Sequence, residues 1–156
     1  MDSERSTVII FGSSGAIGQA LVQTYLEENW NVISVSRQGL EFTEVPVGSF
    51  HHVSWGLSES PDLLLDLIPN NISAIVWAQG SNCADEIGNF DETAFRGVFD
   101  ANVTYVLNTL HKLLTATKLL SPCRLIVISS IWQELSRNQK LAYTVSKSAL
   151  RGLVQS

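Results

Sequence analysis

Charge is scarce in this chain. Asp, Glu, Lys and Arg make up 16% of its 156 residues, against 45% of hydrophobic type. A chain so poor in charge and rich in apolar side chains is not disordered. The formal net charge is −5, which argues against a broad basic surface and therefore against nucleic acid as a partner. No apolar run approaches the roughly 18 residues that span a bilayer, so no membrane partner is expected. The opening Met1-Asp2-Ser3-Glu4-Arg5-Ser6 carries acids and no apolar core, and does not read as a secretory signal. Two cysteines, Cys83 and Cys123, cannot build a disulfide framework, and no Cys/His pair has zinc-ligand spacing. These absences predict a single soluble, cytoplasmic domain over 1–156 with no metal.

What is present is an alternation of strand and helix patterns. Thr7–Phe11, Asn31–Ser36, Ile72–Ala78 and Arg124–Ser129 are short apolar runs without strict polar alternation, and a weaker strand pattern covers Phe50–Ser54. Helical spacing covers Ala16–Glu28, Asp62–Ile68 up to Pro69, Glu92–Lys118 and Tyr143–Gln155. The pattern predicts an α/β fold, a doubly wound parallel sheet of Rossmann type with helices on both faces. The helical pattern at the end has no glycine or proline stop, and the 124–129 strand would be an open apolar edge. Both features predict a fold truncated on its C-terminal side, the front part of a longer one.

Between the first strand and first helix lies Gly12-Ser13-Ser14-Gly15-Ala16-Ile17-Gly18. Glycines there let the backbone turn sharply and approach a pyrophosphate, while the helix N-terminus offers unpaired N–H groups and the positive end of its dipole. There is no Gly-Lys-Ser/Thr ending, which excludes a P-loop nucleotide hydrolase. The second strand ends Val35-Ser36-Arg37 without an acid. An acid at that place holds the ribose hydroxyls of NAD, whereas arginine pairs with a 2′-phosphate. Arg37, helped by Ser36 and Ser13, therefore favours NADP over NAD.

Tyr143-Thr144-Val145-Ser146-Lys147 sets Tyr143 and Lys147 one helical turn apart on one face. A cation near a phenol favours the phenolate, making Tyr143 a usable acid and base. Ser130 follows an apolar strand, where ligand-facing residues of such sheets sit, and its hydroxyl could hold a carbonyl oxygen. Trp132 and Gln133 fall in the same loop, beside the expected cleft. His51-His52 reads as a solvated turn and Cys83 as a loop cysteine.

Taken in order, the glycine loop, Ala78-Gln79-Gly80, Asn102, Ile128-Ser129-Ser130 and Tyr-x-x-Ser-Lys resemble the short-chain dehydrogenase/reductase family. The resemblance implies a catalytic tetrad of Asn102, Ser130, Tyr143 and Lys147, with Ser129 the rival to Ser130. It implies cofactor contacts from the 12–18 loop, Ser36, Arg37, Ala78, Gly80, Tyr143 and Lys147. It also implies that Tyr143 exchanges a proton with a small-molecule carbonyl or secondary alcohol as NADPH or NADP exchanges hydride. Lys147 would lower the tyrosine pKa and hold the nicotinamide ribose, Ser130 would orient the oxygen, and Asn102 would anchor a water feeding protons to Lys147. A homodimer or homotetramer is expected through the two long helices, with Val98, Val106, Leu110 and Leu114 as a surplus apolar stripe.

The chain departs from the family pattern at Phe11, where threonine is usual, and at Trp77-Ala78-Gln79-Gly80, which lacks the usual strand-bracing asparagine. No acid stands near Ser54-Trp55-Gly56 to meet adenine. The glycine spacing leaves open a nucleotide-sugar epimerase or dehydratase, and a non-catalytic NADP-binding protein is a third reading.

Overall fold

All five residues of Thr7–Phe11 are buried, as a Thr-Val-Ile-Ile-Phe run without polar alternation requires: both faces of the strand must be covered. In the computed structural model, which describes residues 5–40, 49–56, 59–135 and 137–156, this strand, β1, is the middle of a five-stranded sheet. β2 (Asn31–Ser36) and β4 (Ile72–Trp77) flank it, and β3 (Ser49–Ser54) and β5 (Leu119–Val127) lie outside them. Every pairing is parallel, in the order β3-β2-β1-β4-β5. Helix α1 (Ala16–Glu27) joins β1 to β2, and α2 (Pro61–Leu67) precedes β4. Helices α3 (Glu92–Phe99) and α4 (Tyr105–Thr115) lie between β4 and β5, and α5 (Leu141–Gln155) follows β5.

The period-two geometry of strands sorts the core into two layers. Val8, Ile10, Val32, Ala74 and Val76 pack with Val22 and Leu26 of α1. The alternate positions, Ile9, Phe11, Ile33, Val35, Ile75 and Trp77, pack with Leu64, Val106, Leu113 and Leu150 of α2, α4 and α5. Each fully buried aliphatic side chain contributes about 1.5–3 kcal/mol. The strand order reverses at β1, so a crevice opens where the carboxyl ends of β1 and β4 part.

Several expectations are revised. The Glu92–Lys118 pattern is not one helix. α3 ends at Phe99, Asp100–Thr104 form a π-helical turn, and α4 stops at Thr115. A π turn adds a residue without leaving helical backbone, so the apolar spacing still reads as continuous. Thr117, at φ 52°, then turns the chain toward β5. β5 starts at Leu119 and holds the cis Ser121–Pro122 bond, and its register with β4 shifts between Ile72 and Ala74. Proline within a sheet is confined to edge strands and bulges, and β5 is an edge strand with an irregular register there.

His51 and His52 lie within β3 rather than in a turn, and His52 Nδ1 is 3.1 Å from Ser34 Oγ. The apolar stripe is spent inside the chain: Val98 and Val106 are buried, Leu110 packs on the core and only Leu114 is exposed. Exposed apolar side chains include Leu107 beside Leu114 on α4 and Leu120, Leu125 and Ile126 on β5. Among the described residues, no helix is long and apolar enough to cross a membrane.

Candidate functional site

The β1–α1 loop is shaped by two glycines with no room for a side chain. Gly12 has φ +74°, and a Cβ there would strike the backbone of Gln79; one on Gly18 would strike that of Gly12 and Ser13. The loop therefore packs tightly against the β4 end. Helix α1 starts beyond Gly15 with no side-chain cap and no acid in its first turn, although Ser60 caps α2 and Asp91 caps α3. Its first N–H groups and dipole end are left for an anion. Gly15, Ala16 and Ile17 are exposed, Ser14 is half-buried and Gly18 is buried.

A cleft of about 430 Å³ runs from this loop across the carboxyl ends of β2, β1 and β4. Ser36, Arg37, Trp55 and Gly56 line one end, Ala78 and Gly80 the other, and Ala101 and Tyr105 the floor. A larger groove, about 660 Å³, lies at the opposite ends of the strands beside Arg5, His51 and Asn71; the glycine loop and the Tyr143 helix do not reach it. Phe11 stacks on Trp77 at 5.9 Å, and Tyr105 meets both Phe11 and Trp55 edge-on. Aromatic packing thus surrounds Phe11, where the family pattern has threonine. Burial pushes the Tyr105 hydroxyl well above its ordinary pKa.

Arg37 is exposed and forms no ion pair among the described residues. Its stem runs over Gly56, where a Cβ would lie 3.0 Å from Arg37 Cγ. Ser13 and Ser36 are buried, and their hydroxyls are committed to each other and to Ser34 and Gln38.

The catalytic candidates converge across the β4 end. Lys147 is buried, its Nζ donates to Ile128 O at 3.0 Å, and it lies 5.7 Å from the centre of the Tyr143 ring. Desolvation lowers the lysine pKa below its ordinary value. A Cβ on Gly80 would stand 3.2 Å from Asn102 Oδ1 and 3.6 Å from Lys147 Nζ, so the bare backbone of Gly80 keeps that corner open. Asn102, buried by the π turn, accepts from Ser81 N at 2.7 Å. It spends both amide hydrogens, on Ser81 O at 3.0 Å and Ser146 Oγ at 2.8 Å. It therefore ties the β4 loop to α5.

Ser129 Oγ is occupied by Gln133 Oε1 at 2.7 Å. Ser130 Oγ accepts from Trp132 N at 3.3 Å and keeps its own hydrogen free among the described residues. The two serines are thus distinguished by what their hydroxyls already do.

One contributor escaped the sequence reading. Asp85 is buried; its Oδ2 accepts from Ala142 N at 2.9 Å and its carbonyl from Leu141 N at 3.3 Å, so it caps α5 from a distant loop. Gln79, beside Gly12, has a buried Oε1 with no partner among the described residues. Asp85 carries no local signal, because it acts on a segment far away in the chain. Cys83 lies near Asp85, and burial and that carboxylate raise its thiol pKa.

The family model described as short chain dehydrogenase matches residues 64–156, more than half of the chain. The chain belongs to the short-chain dehydrogenase family. A serine 3-dehydrogenase of Rhizobium radiobacter is 29% identical over 123 residues, covering 69% of this chain and 47% of the relative. The chain spans about half the length of the curated relatives it matches. A short chain dehydrogenase family protein from Francisella tularensis superposes with TM-score 0.85 at 21% identity, covering 96% of this chain and 61% of its own. A 4-hydroxyisoleucine dehydrogenase solved with NADH and succinate gives TM-score 0.76 at 21% identity, covering 94% and 69%. An ElxO variant solved with NADPH gives 0.82 at 16%, covering 96% and 65%. These neighbours share the fold, the parallel Rossmann-type sheet described above.

Proposed function

We propose that the protein of which these residues form the cofactor-binding part is an NADP-dependent oxidoreductase. It interconverts a carbonyl and a secondary alcohol on a small molecule. The observation that carries this reading is the buried Lys147 ammonium beside Tyr143, facing Gly80 at the same end of the sheet as the uncapped α1 N-terminus. The residues present fit a dinucleotide. The α1 N-terminus and the glycine loop suit the pyrophosphate, the exposed Arg37 suits a 2′-phosphate, and the corner at Gly80 leaves Lys147 access to a ribose.

When bound, the reduced nicotinamide supplies a hydride to the carbonyl carbon. The chain's own residues do the rest. Tyr143 gives its hydroxyl proton to the carbonyl oxygen, or takes one back in the alcohol direction. Ser130 donates its free hydrogen to the same oxygen, which becomes more negative as the reaction proceeds. Lys147 places positive charge beside the phenol ring and faces the corner at Gly80 where the ribose would sit. Asn102 holds Ser81 and Ser146 together, and so keeps α5 in register with the β4 loop. The homodimer or homotetramer belongs to the same proposal.

The test is Tyr143→Phe in the intact protein, on any carbonyl the parent reduces. Turnover should fall by at least about a hundredfold while NADPH affinity holds. Near-parent turnover would remove Tyr143 from the chemistry.

A further inference from the structure

Four side chains away from the catalytic group form one line of hydrogen bonds, buried at its centre and part-buried at its ends. Ser36 Oγ donates to Gln38 O at 2.6 Å, bridging across Arg37. Ser13 Oγ donates to Ser36 Oγ at 3.1 Å, and Ser34 Oγ donates to Ser13 Oγ at 2.7 Å. Each hydroxyl owns one hydrogen, so all three hydrogens are spent in the same direction. His52 Nδ1 stands 3.1 Å from Ser34 Oγ. The hydrogen in that contact has to come from the ring, which fixes His52 as the Nδ1–H tautomer. Its Nε2 is then a buried lone pair without a partner among the described residues.

The line joins three segments. Ser13 belongs to the glycine loop, Ser34 and Ser36 to β2, and His52 to β3. It ends on the carbonyl just past Arg37, and that turn is further held by Trp55 N on Ser36 O at 3.2 Å. Arg37 has no ion pair to direct it among the described residues, so the backbone turn and the packing of its stem over the bare Gly56 hold it in place. The catalytic corner at Gly80 and Lys147 lies beyond β1 and β4 and shares no hydrogen bond with the line among the described residues.

We propose that His52 is a positioning residue for cofactor selection: through Ser34, Ser13 and Ser36 it holds the turn from which Arg37 meets the 2′-phosphate of NADP. The proposal rests on the NADP reading above. It implies that cutting the line weakens the phosphate-bearing cofactor and spares the other. It also implies that the ring acts only as a donor to Ser34, so a side chain that supplies a donor at the Nδ1 position should replace it.

The experiment titrates NADPH and NADH onto the parent, His52→Leu and His52→Asn, and records ¹⁵N spectra of the histidine rings, with the His52 signals assigned by their loss in the variants. The expected result is a parent that prefers NADPH, with His52 protonated at Nδ1. NADPH affinity should fall roughly three- to tenfold in His52→Leu, with NADH unchanged. His52→Asn, whose amide nitrogen sits near the Nδ1 position, should recover most of the loss. If His52→Leu does not fold by thermal melting, Ser34→Ala cuts the same line from within β2 and carries the same comparison. A ring protonated at Nε2, no loss of NADPH, equal loss of both cofactors, or Leu and Asn variants that behave alike would each overturn the role of His52 alone. A parent that binds NADH as tightly as NADPH would remove the NADP reading, and the role of His52 with it.

Discussion

Lys147 is a buried ammonium whose described partners are one carbonyl and one aromatic ring. Desolvation puts its folded-state pKa below 10.5. Below the folded value both states are charged. Between the folded and unfolded values the unfolded chain holds the extra proton, so stability rises with pH through that window. Against a Lys147→Met reference, the parent should therefore gain stability as pH climbs from neutral toward 10.5, measured by melting temperature at each pH. A difference that stays flat would mean that the ammonium is not desolvated. Arg37 is the complementary case, an exposed cation at the cleft mouth. Arg37→Asp should reverse the cofactor preference, because a carboxylate repels a 2′-phosphate and accepts from ribose hydroxyls; fluorescence titration of both reduced cofactors reads the reversal. Tighter NADPH binding by the variant would show that Arg37 does not meet the phosphate.

At the scale of elements, α5 is the part on which the chemistry depends, and its first turn is held by a residue from another loop. Lys140 offers α5 no side-chain cap, whereas Asp85 accepts from the backbone N–H of Ala142. Asp85→Ala should cost about 0.5–2 kcal/mol and speed hydrogen exchange at the Leu141 and Ala142 amides ahead of the rest of the helix. Unchanged exchange at those amides would show that the cap carries no weight. The strands, α1, α2 and the Tyr143–Lys147 pairing were legible in the sequence because they rest on local periodicity and on motifs within a single turn. The π turn was not, because it keeps apolar spacing while shifting phase. Nor were the Asp85 cap and the tie from Ser34 to His52, since those partners are chosen by how distant strands and loops are laid side by side. Ser13 and Ser36 show the same limit from another side. Their positions suggested phosphate ligands, yet their hydroxyls are committed to each other once β1 and β2 pair.

For the whole molecule, the two flanks of the sheet differ. On β3 the alternating Ser49–Ser54 pattern turns polar positions outward, whereas β5 leaves Leu120, Leu125 and Ile126 exposed on an edge strand. An edge of that kind pairs with whatever strand is offered. Expressed as these 156 residues alone, the chain should self-associate over the micromolar-to-millimolar range, and Leu125→Lys should raise the concentration at which light scattering reports it. A cooperatively melting monomer over that range would count against the open edge. The aromatic floor of the cleft also makes the molecule its own optical reporter. Of the four tryptophans, Trp55 lines the cleft, in edge contact with Tyr105, while Trp77 sits beneath, stacked on Phe11 and bonded to Thr109. A reduced dinucleotide seated there would accept excitation energy from Trp55, so ultraviolet excitation should quench protein emission and light up the nicotinamide. The transfer should shrink sharply in Trp55→Phe, letting occupancy be followed in real time without any attached dye.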